Sequence, residues 1–243
     1  MKKFIVAMLI IVAGVPVFAQ DDLSTICMNK GGVWNADSSQ CQYYFGIDIN
    51  IDYPLELVDY PNAQKTIDNF ITATRDDFMK LASPANAPSF NGAPNTMKIS
   101  YEVVDYSDAI KTYVFTIYEY TGGAHGNTTL ATFTFNLTDD TVIPLSDLFA
   151  DGLDSGLAAI APMAAEQVNS SVADYTDSNW VETGTAPTAD NYANFALSND
   201  TLYFYFPPYQ VAAYVVGTFT VKIPLSDVSD ILNPEIFSSS ASS

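Results

Sequence analysis

The sole histidine among 243 residues, His125, lies in the run YEYTGGAHGN at residues 118–127. An imidazole can serve as general base, proton shuttle or metal ligand near neutral pH. Each of those roles needs company. A zinc hydrolase draws on several His or Cys ligands, and a Ser-His-Asp nucleophile calls for an elbow such as GxSxG. The chain has no second histidine and no such elbow. It also lacks GxxxxGK[ST] and GxGxxG, the common phosphate and dinucleotide cradles. What the run does offer is backbone freedom. Gly122 and Gly123 reach angles closed to other residues, between bulky Tyr118 and Tyr120 and the next strand. Such a loop can present His125 and open amides to a partner. A glycine-built hairpin in which His125 only caps or packs is the competing reading, and residue types leave both open.

A second candidate is YFYFPPYQVAAYVVG at residues 203–217. Alternation along a strand should bury Phe204 and Phe206 and turn Tyr203 and Tyr205 the other way. Pro207 and Pro208 then end the strand and leave Tyr209 on a stiff corner. A rigid tyrosine beside prolines loses little entropy on binding, which suits recognition. A tyrosine buried beneath the turn is the equal alternative. The 28 acids would also suffice for a calcium or magnesium site or for a glycoside-cleaving carboxylate pair, but no spacing marks either. In GIDINIDY, residues 46–53, Tyr53 stands where a calcium loop needs glycine. No cofactor and no metal site is expected.

The elements that carry these loops follow from periodicity. Ile47, Ile49 and Ile51 alternate with Asp48, Asn50 and Asp52, the period of a half-buried strand. Residues 62–82 place Ile67, Phe70, Ile71, Thr74, Phe78, Leu81 and Ala82 on one helical face. Residues 83–95, rich in Pro and Asn, form a loop. Strands are expected over 97–106 and 109–120 about a Ser107-Asp108 turn, then over 128–137, 192–197, 202–206 and 218–223. Ser146 and Asp147 suit a helix cap. Residues 154–168 have helical spacing that Pro162 should kink or split. Residues 170–191 are polar with few apolar anchors. IPLSD occurs at 143–147 and again at 223–227, consistent with two lobes that have similar exits or simply with shared cap chemistry. Strand runs followed by isolated helices, without βαβ alternation, predict an α+β fold of mainly antiparallel sheet with a few packed helices.

Residues 1–19 read as a secretory signal peptide, with Lys2-Lys3, an apolar run and Val17-Phe18-Ala19 before Gln20. That run is short for a membrane span, and no later one is long enough. Its removal takes two lysines and no acid, so the formal charge moves from −19 to −21. A field of that sign repels phosphate backbones and anionic lipid, which argues against nucleic acid and favours a cationic partner. In an exported chain Cys27 and Cys41 are expected to form one disulfide around Gly31-Gly32 and Trp34, worth roughly 3 kcal/mol.

The loop YTGGAHGN after YVFTIYEY, then FNLTDDTVIPLSDLF, then LYFYFPPYQVAAYVVGTFTVKIPL, resembles a bacterial extracytoplasmic domain family. That family includes the region beside the catalytic domain of the peptidoglycan deacetylase PdaC and the lysozyme-sensing extracellular region of the anti-sigma factor RsiV. The resemblance covers residues 46–233. It implies a domain with halves at 46–140 and 141–235, two closely packed lobes being one arrangement. A disulfide-closed segment at 20–45 precedes it, and a disordered tail at 236–243 follows. The zinc site, the sigma-binding segment and the membrane span of those relatives have no match here. What remains is a non-catalytic binding module, periplasmic or extracellular, with lysozyme or peptidoglycan as ligand. In the lysozyme-sensing relative the proline-tyrosine motif belongs to the lysozyme-binding surface, and its match here is Pro207, Pro208 and Tyr209. With the glycine loop, the expected ligand-binding residues are Tyr120, Gly122, Gly123, His125, Pro207, Pro208 and Tyr209. An envelope hydrolase with an unrecognised acidic site is the second reading, and a purely structural secreted domain the third.

Overall fold

A computed structural model of the chain describes residues 46–82 and 94–237, with short pieces between 24 and 42. Met1–Phe45 and Gly46–Ser243 are separate units. In the first, β1 (Val33–Asn35) pairs antiparallel with β2 (Gln40–Gln42), and Trp34 lies opposite Cys41. The expected Cys27–Cys41 bridge lies outside the described residues.

In the second unit, alternating apolar residues build a five-stranded sheet in the order β3-β4-β5-β6-β7. Its strands are β3 (Ile47–Ile51), β4 (Asn95–Asp105), β5 (Ile110–Tyr120), β6 (Asn127–Asn136) and β7 (Thr141–Val142). Only β3 with β4 is parallel; the other pairs are antiparallel. Tyr113, Phe115 and Ile117 of β5 face α1 (Pro61–Leu81), where they join Ile67, Ile71 and Phe78 in one core. Phe70 packs on Phe115 and Phe133 with ring centroids 5.2 and 5.1 Å away. Leu81, expected on the buried face beside Ala82, is exposed, while Ala82 is buried as expected. The buried row steps by four from Phe78 to Ala82, so Leu81 points off it.

The first turn of α1 has no side-chain cap of its own. Asp140, in the turn between β6 and β7, supplies it. Its two carboxylate oxygens accept from the Asn62 and Ala63 amides at 2.7 and 2.9 Å. Asp140 sits at φ 52°, a left-handed conformation that Asp tolerates better than most residues.

A smaller antiparallel sheet has the order β10-β9-β8, from β8 (Phe195–Leu197), β9 (Thr201–Phe206) and β10 (Phe219–Pro224). Phe204, Phe206, Val221 and Ile223 face α2 (Leu153–Val172) and its Leu157, Ile160, Ala164 and Val168. The opposite face, with Ala196, Tyr203 and Tyr205, packs on Val104, Val114 and Leu130 of the larger sheet. The layers therefore run α1, five-stranded sheet, three-stranded sheet, α2, which is an α+β fold. Tyr205, expected to face away from the core, is buried between the two sheets, and desolvation there pushes its phenol up to about 12. α2 is not split at Pro162, which lies on its exposed side.

Side chains close the smaller sheet's edges. The Phe195 and Leu197 amides donate to Thr132 and Thr112 hydroxyls at 3.0 and 3.4 Å. Gln167 of α2 both accepts from and donates to the backbone of Lys222 on β10. Such pairing satisfies donors that would otherwise template aggregation. Both IPLSD runs enter 3₁₀ turns, Leu145–Leu148 and Leu225–Asp227, each led by a proline. No side-chain cap bond forms at either, so Ser146 and Asp147 do not cap as expected. Ile236 and Phe237, placed in the tail from sequence, belong to α4 (Pro234–Phe237) and pack against the core.

Candidate functional site

The hairpin loop between β5 and β6 is built as its glycines suggest. Gly122 and Gly123 take φ of 105° and 104°, in the region that favours glycine. The Tyr120 hydroxyl donates to the Gly123 carbonyl at 3.2 Å. Gly126 is buried against the Tyr118 ring, and an added Cβ would lie 2.4 Å from that ring. His125 is exposed beside it.

The proline-tyrosine corner lies between β9 and β10. Tyr209 is 52% exposed and has φ 71°, a strained angle for an aromatic residue, of the kind that gathers at functional sites. The surrounding bonds hold it there. The Trp180 indole N–H donates to the Tyr209 carbonyl at 2.7 Å. The Gln210 amide donates to the Gly184 and Asn191 carbonyls, both at 2.9 Å. The Thr176 hydroxyl donates to the Val211 carbonyl, and the Ala213 amide to the Tyr175 carbonyl. Four of these five partners lie in residues 175–184, around α3 (Ser178–Gly184), which Asp177 caps by accepting from the Trp180 amide at 2.8 Å. The polar stretch that predicts little from sequence is thus the seat of the corner.

Tyr214 joins the two loops. Its ring stacks on His125 with centroids 4.2 Å apart and planes 23° apart, and it lies 5.5 Å from the Tyr209 ring. Its hydroxyl donates to the Gly126 carbonyl at 2.9 Å. That carbonyl also accepts from His125 Nδ1 at 2.8 Å, so both its lone pairs are used. Because a carbonyl only accepts, Nδ1 is the donor in this bond. The result is an aromatic shelf of Tyr209, Tyr214 and His125, with exposed Tyr175 beside the same corner. Of the expected residues, His125 and Tyr209 meet through Tyr214. Gly122, Gly123 and Tyr120 shape the first loop, and Pro207 and Pro208 lead into the corner. Sequence reasoning missed Tyr214, Trp180 and Thr176. The available signal was that Tyr214 sits inside the same aromatic run as Tyr209.

Two family profiles match the chain in tandem: "Deacetylase PdaC" over residues 42–128 and "Protein of unknown function (DUF3298)" over residues 146–226. The peptidoglycan-N-acetylmuramic acid deacetylase PdaC of Bacillus subtilis is 30% identical over 141 residues, 58% of this chain and 30% of that protein. The chain thus spans under a third of that enzyme. The immunogenic protein MPT64 of Mycobacterium tuberculosis is 25% identical over 76% of this chain and 78% of its own. An esterase of the same organism is 27% identical over 70% and 73%. A solved DUF3298-family structure from Pseudomonas aeruginosa superposes with TM-score 0.56 at 18% identity, covering 78% of this chain and 86% of that one. One from Bacteroides fragilis gives 0.50 at 23%, covering 79% and 75%. These two share the fold. The likeness to PdaC read from the sequence is shown: one segment of the chain is similar to PdaC and a second to DUF3298. His125 falls in the first matched segment, Tyr209 and Tyr214 in the second.

Proposed function

We propose that this chain, a PdaC-type segment followed by a DUF3298-type segment, is an exported, non-catalytic binding module of the bacterial envelope. Its ligand face is the Tyr209–Tyr214–His125 shelf, and its partner is a cationic protein of the lysozyme type. The observation that carries this reading is the meeting of two separately conspicuous loops on one exposed aromatic surface. Rigid tyrosines with a locked backbone are the common anchors of protein interfaces. Charge supports the choice of partner. Lys222 is the only cation in residues 141–237, and Asp174, Asp177 and Glu182 are exposed around the seat of the corner. Peptidoglycan, the other ligand the resemblance implies, carries carboxylates of its own and suits that acidic surface less well.

The esterase among the relatives favours the second reading, an envelope hydrolase. Against it, among the described residues only the Gly126 carbonyl hydrogen-bonds the His125 ring, and no hydroxyl or carboxylate is aligned with it. Calorimetric titration of the mature chain with lysozyme tests the first reading, and saturable binding is expected. Ester and peptidoglycan turnover that disappears in His125→Ala would replace it with the second.

A further inference from the structure

A pocket lies far along the chain from the shelf, beside the start of α1, with a volume of about 280 Å³. That is close to the lower end of the ~300–1,000 Å³ range of small-molecule sites, room for one ring rather than an extended chain. Its floor is apolar: Leu57 and Ile67 are each 1% exposed. One wall is the half-exposed Tyr53 ring, and the rim on α1 is Gln64 and Asp68, four residues apart and so on one helical face. Among the described residues neither the Gln64 amide nor the Asp68 carboxylate is hydrogen-bonded to another side chain or to backbone. No cation lines the pocket.

We infer that this pocket binds a neutral, N-acetylated sugar residue of a cell-wall-type glycan. A pyranose has an apolar C–H face, which suits an exposed tyrosine ring. It also has hydroxyl donors, which suit a carboxylate and a carboxamide acceptor. An acetamido methyl fits the Leu57–Ile67 floor, where burial of a methyl group is favourable. Phosphorylated or carboxylate-bearing sugars are disfavoured, because Asp68 would face them and nothing cationic would offset it. The walls are fixed in advance. The turn Leu55–Asp59 is closed by bonds from Leu57 to Pro54 and from Tyr60 to Leu57, and Asp140 pins the first turn of α1. Leu55 and Val58 extend the apolar rim outward, 80% and 67% exposed, where the next sugar along a chain would pass. The proposal rests on the envelope setting of the proposed function and not on the shelf.

The test is a titration of the ¹⁵N-labelled mature chain with chitotetraose, the β-1,4 tetramer of N-acetylglucosamine, with cellotetraose as the glycan lacking acetamides. Saturable shifts are expected at residues 53–68, and weaker binding of cellotetraose. Tyr53→Ala and Asp68→Asn, at solvent-accessible positions, should each weaken chitotetraose by about tenfold or more without lowering the melting temperature. Tyr209→Ala should leave this titration unchanged, so failure of lysozyme to bind the shelf would not affect it. No saturable shift at residues 53–68, shifts insensitive to both pocket substitutions, or equal binding of cellotetraose would overturn the proposal.

Discussion

The two loops that meet at Tyr214 are built on opposite principles. Residues 120–126 reach their shape through glycine, and their internal ties are one tyrosine hydroxyl and the His125 ring. Residues 207–213 reach theirs through restraint. Prolines fix the entry, and five hydrogen bonds to residues 175–191 hold a tyrosine at a left-handed angle. The first loop is tied mainly at its Gly126 end, whereas the second is held along its length. Under the proposed function, the corner would be the fixed side that gives affinity and the glycine loop the side that follows the partner.

The contrast breaks most sharply at glycine. Gly184 lies under the corner, and a Cβ there would sit 2.1 Å from the Gln210 carbonyl oxygen. Gly184→Ala should therefore cost about 3 kcal/mol, the upper range for overpacking against backbone. Gly123 has open space around it, so Gly123→Ala should cost only the strain of its angle, about 1 kcal/mol. Urea unfolding of both variants checks this, and equal losses would erase the distinction between the loops.

Alkaline pH probes the layer beneath the corner. Tyr205 is held neutral up to about 12 by burial, whereas an unfolded tyrosine ionises near 10. Between those values ionisation favours the unfolded chain. The stability that burial of the neutral phenol confers is therefore full below pH ~10 and lost as pH rises through about 12, by up to about 2 kcal/mol. Unfolding free energy measured against pH should fall in that window, and Tyr205→Phe should flatten the fall.

Trp180→Phe keeps a ring but removes the bond to the Tyr209 carbonyl, at a cost of roughly 1–2 kcal/mol. Hydrogen exchange should then quicken at residues 207–213 and not at 120–126. His125→Ala is the mildest change, within about 0.5 kcal/mol of wild type in stability, because the ring is exposed and Tyr214 keeps its own bond to Gly126.

Both loops were legible in the sequence, since glycine pairs and proline-aromatic runs are local signals. Their meeting was not. Tyr214 reaches Gly126 across 88 positions, and no periodicity encodes that distance. The seat of the corner was hidden for a related reason: α3 has seven residues, too few to show a helical period. The α+β class and the long strands were readable because their alternation spans ten or eleven residues. Tyr205 misled because alternation tells which face a residue takes, and not whether a second sheet covers that face. Asp140 capping α1 from 78 residues away is likewise a tertiary event with no local mark.

Whether the fixed corner is a binding face is decided by Tyr209→Ala, with lysozyme affinity and melting temperature measured on the same protein. A loss of about 2 kcal/mol or more in binding is expected, as for other anchor tyrosines, with a nearly unchanged melting point because the ring is half exposed. A large drop in melting temperature with unaltered affinity would contradict it.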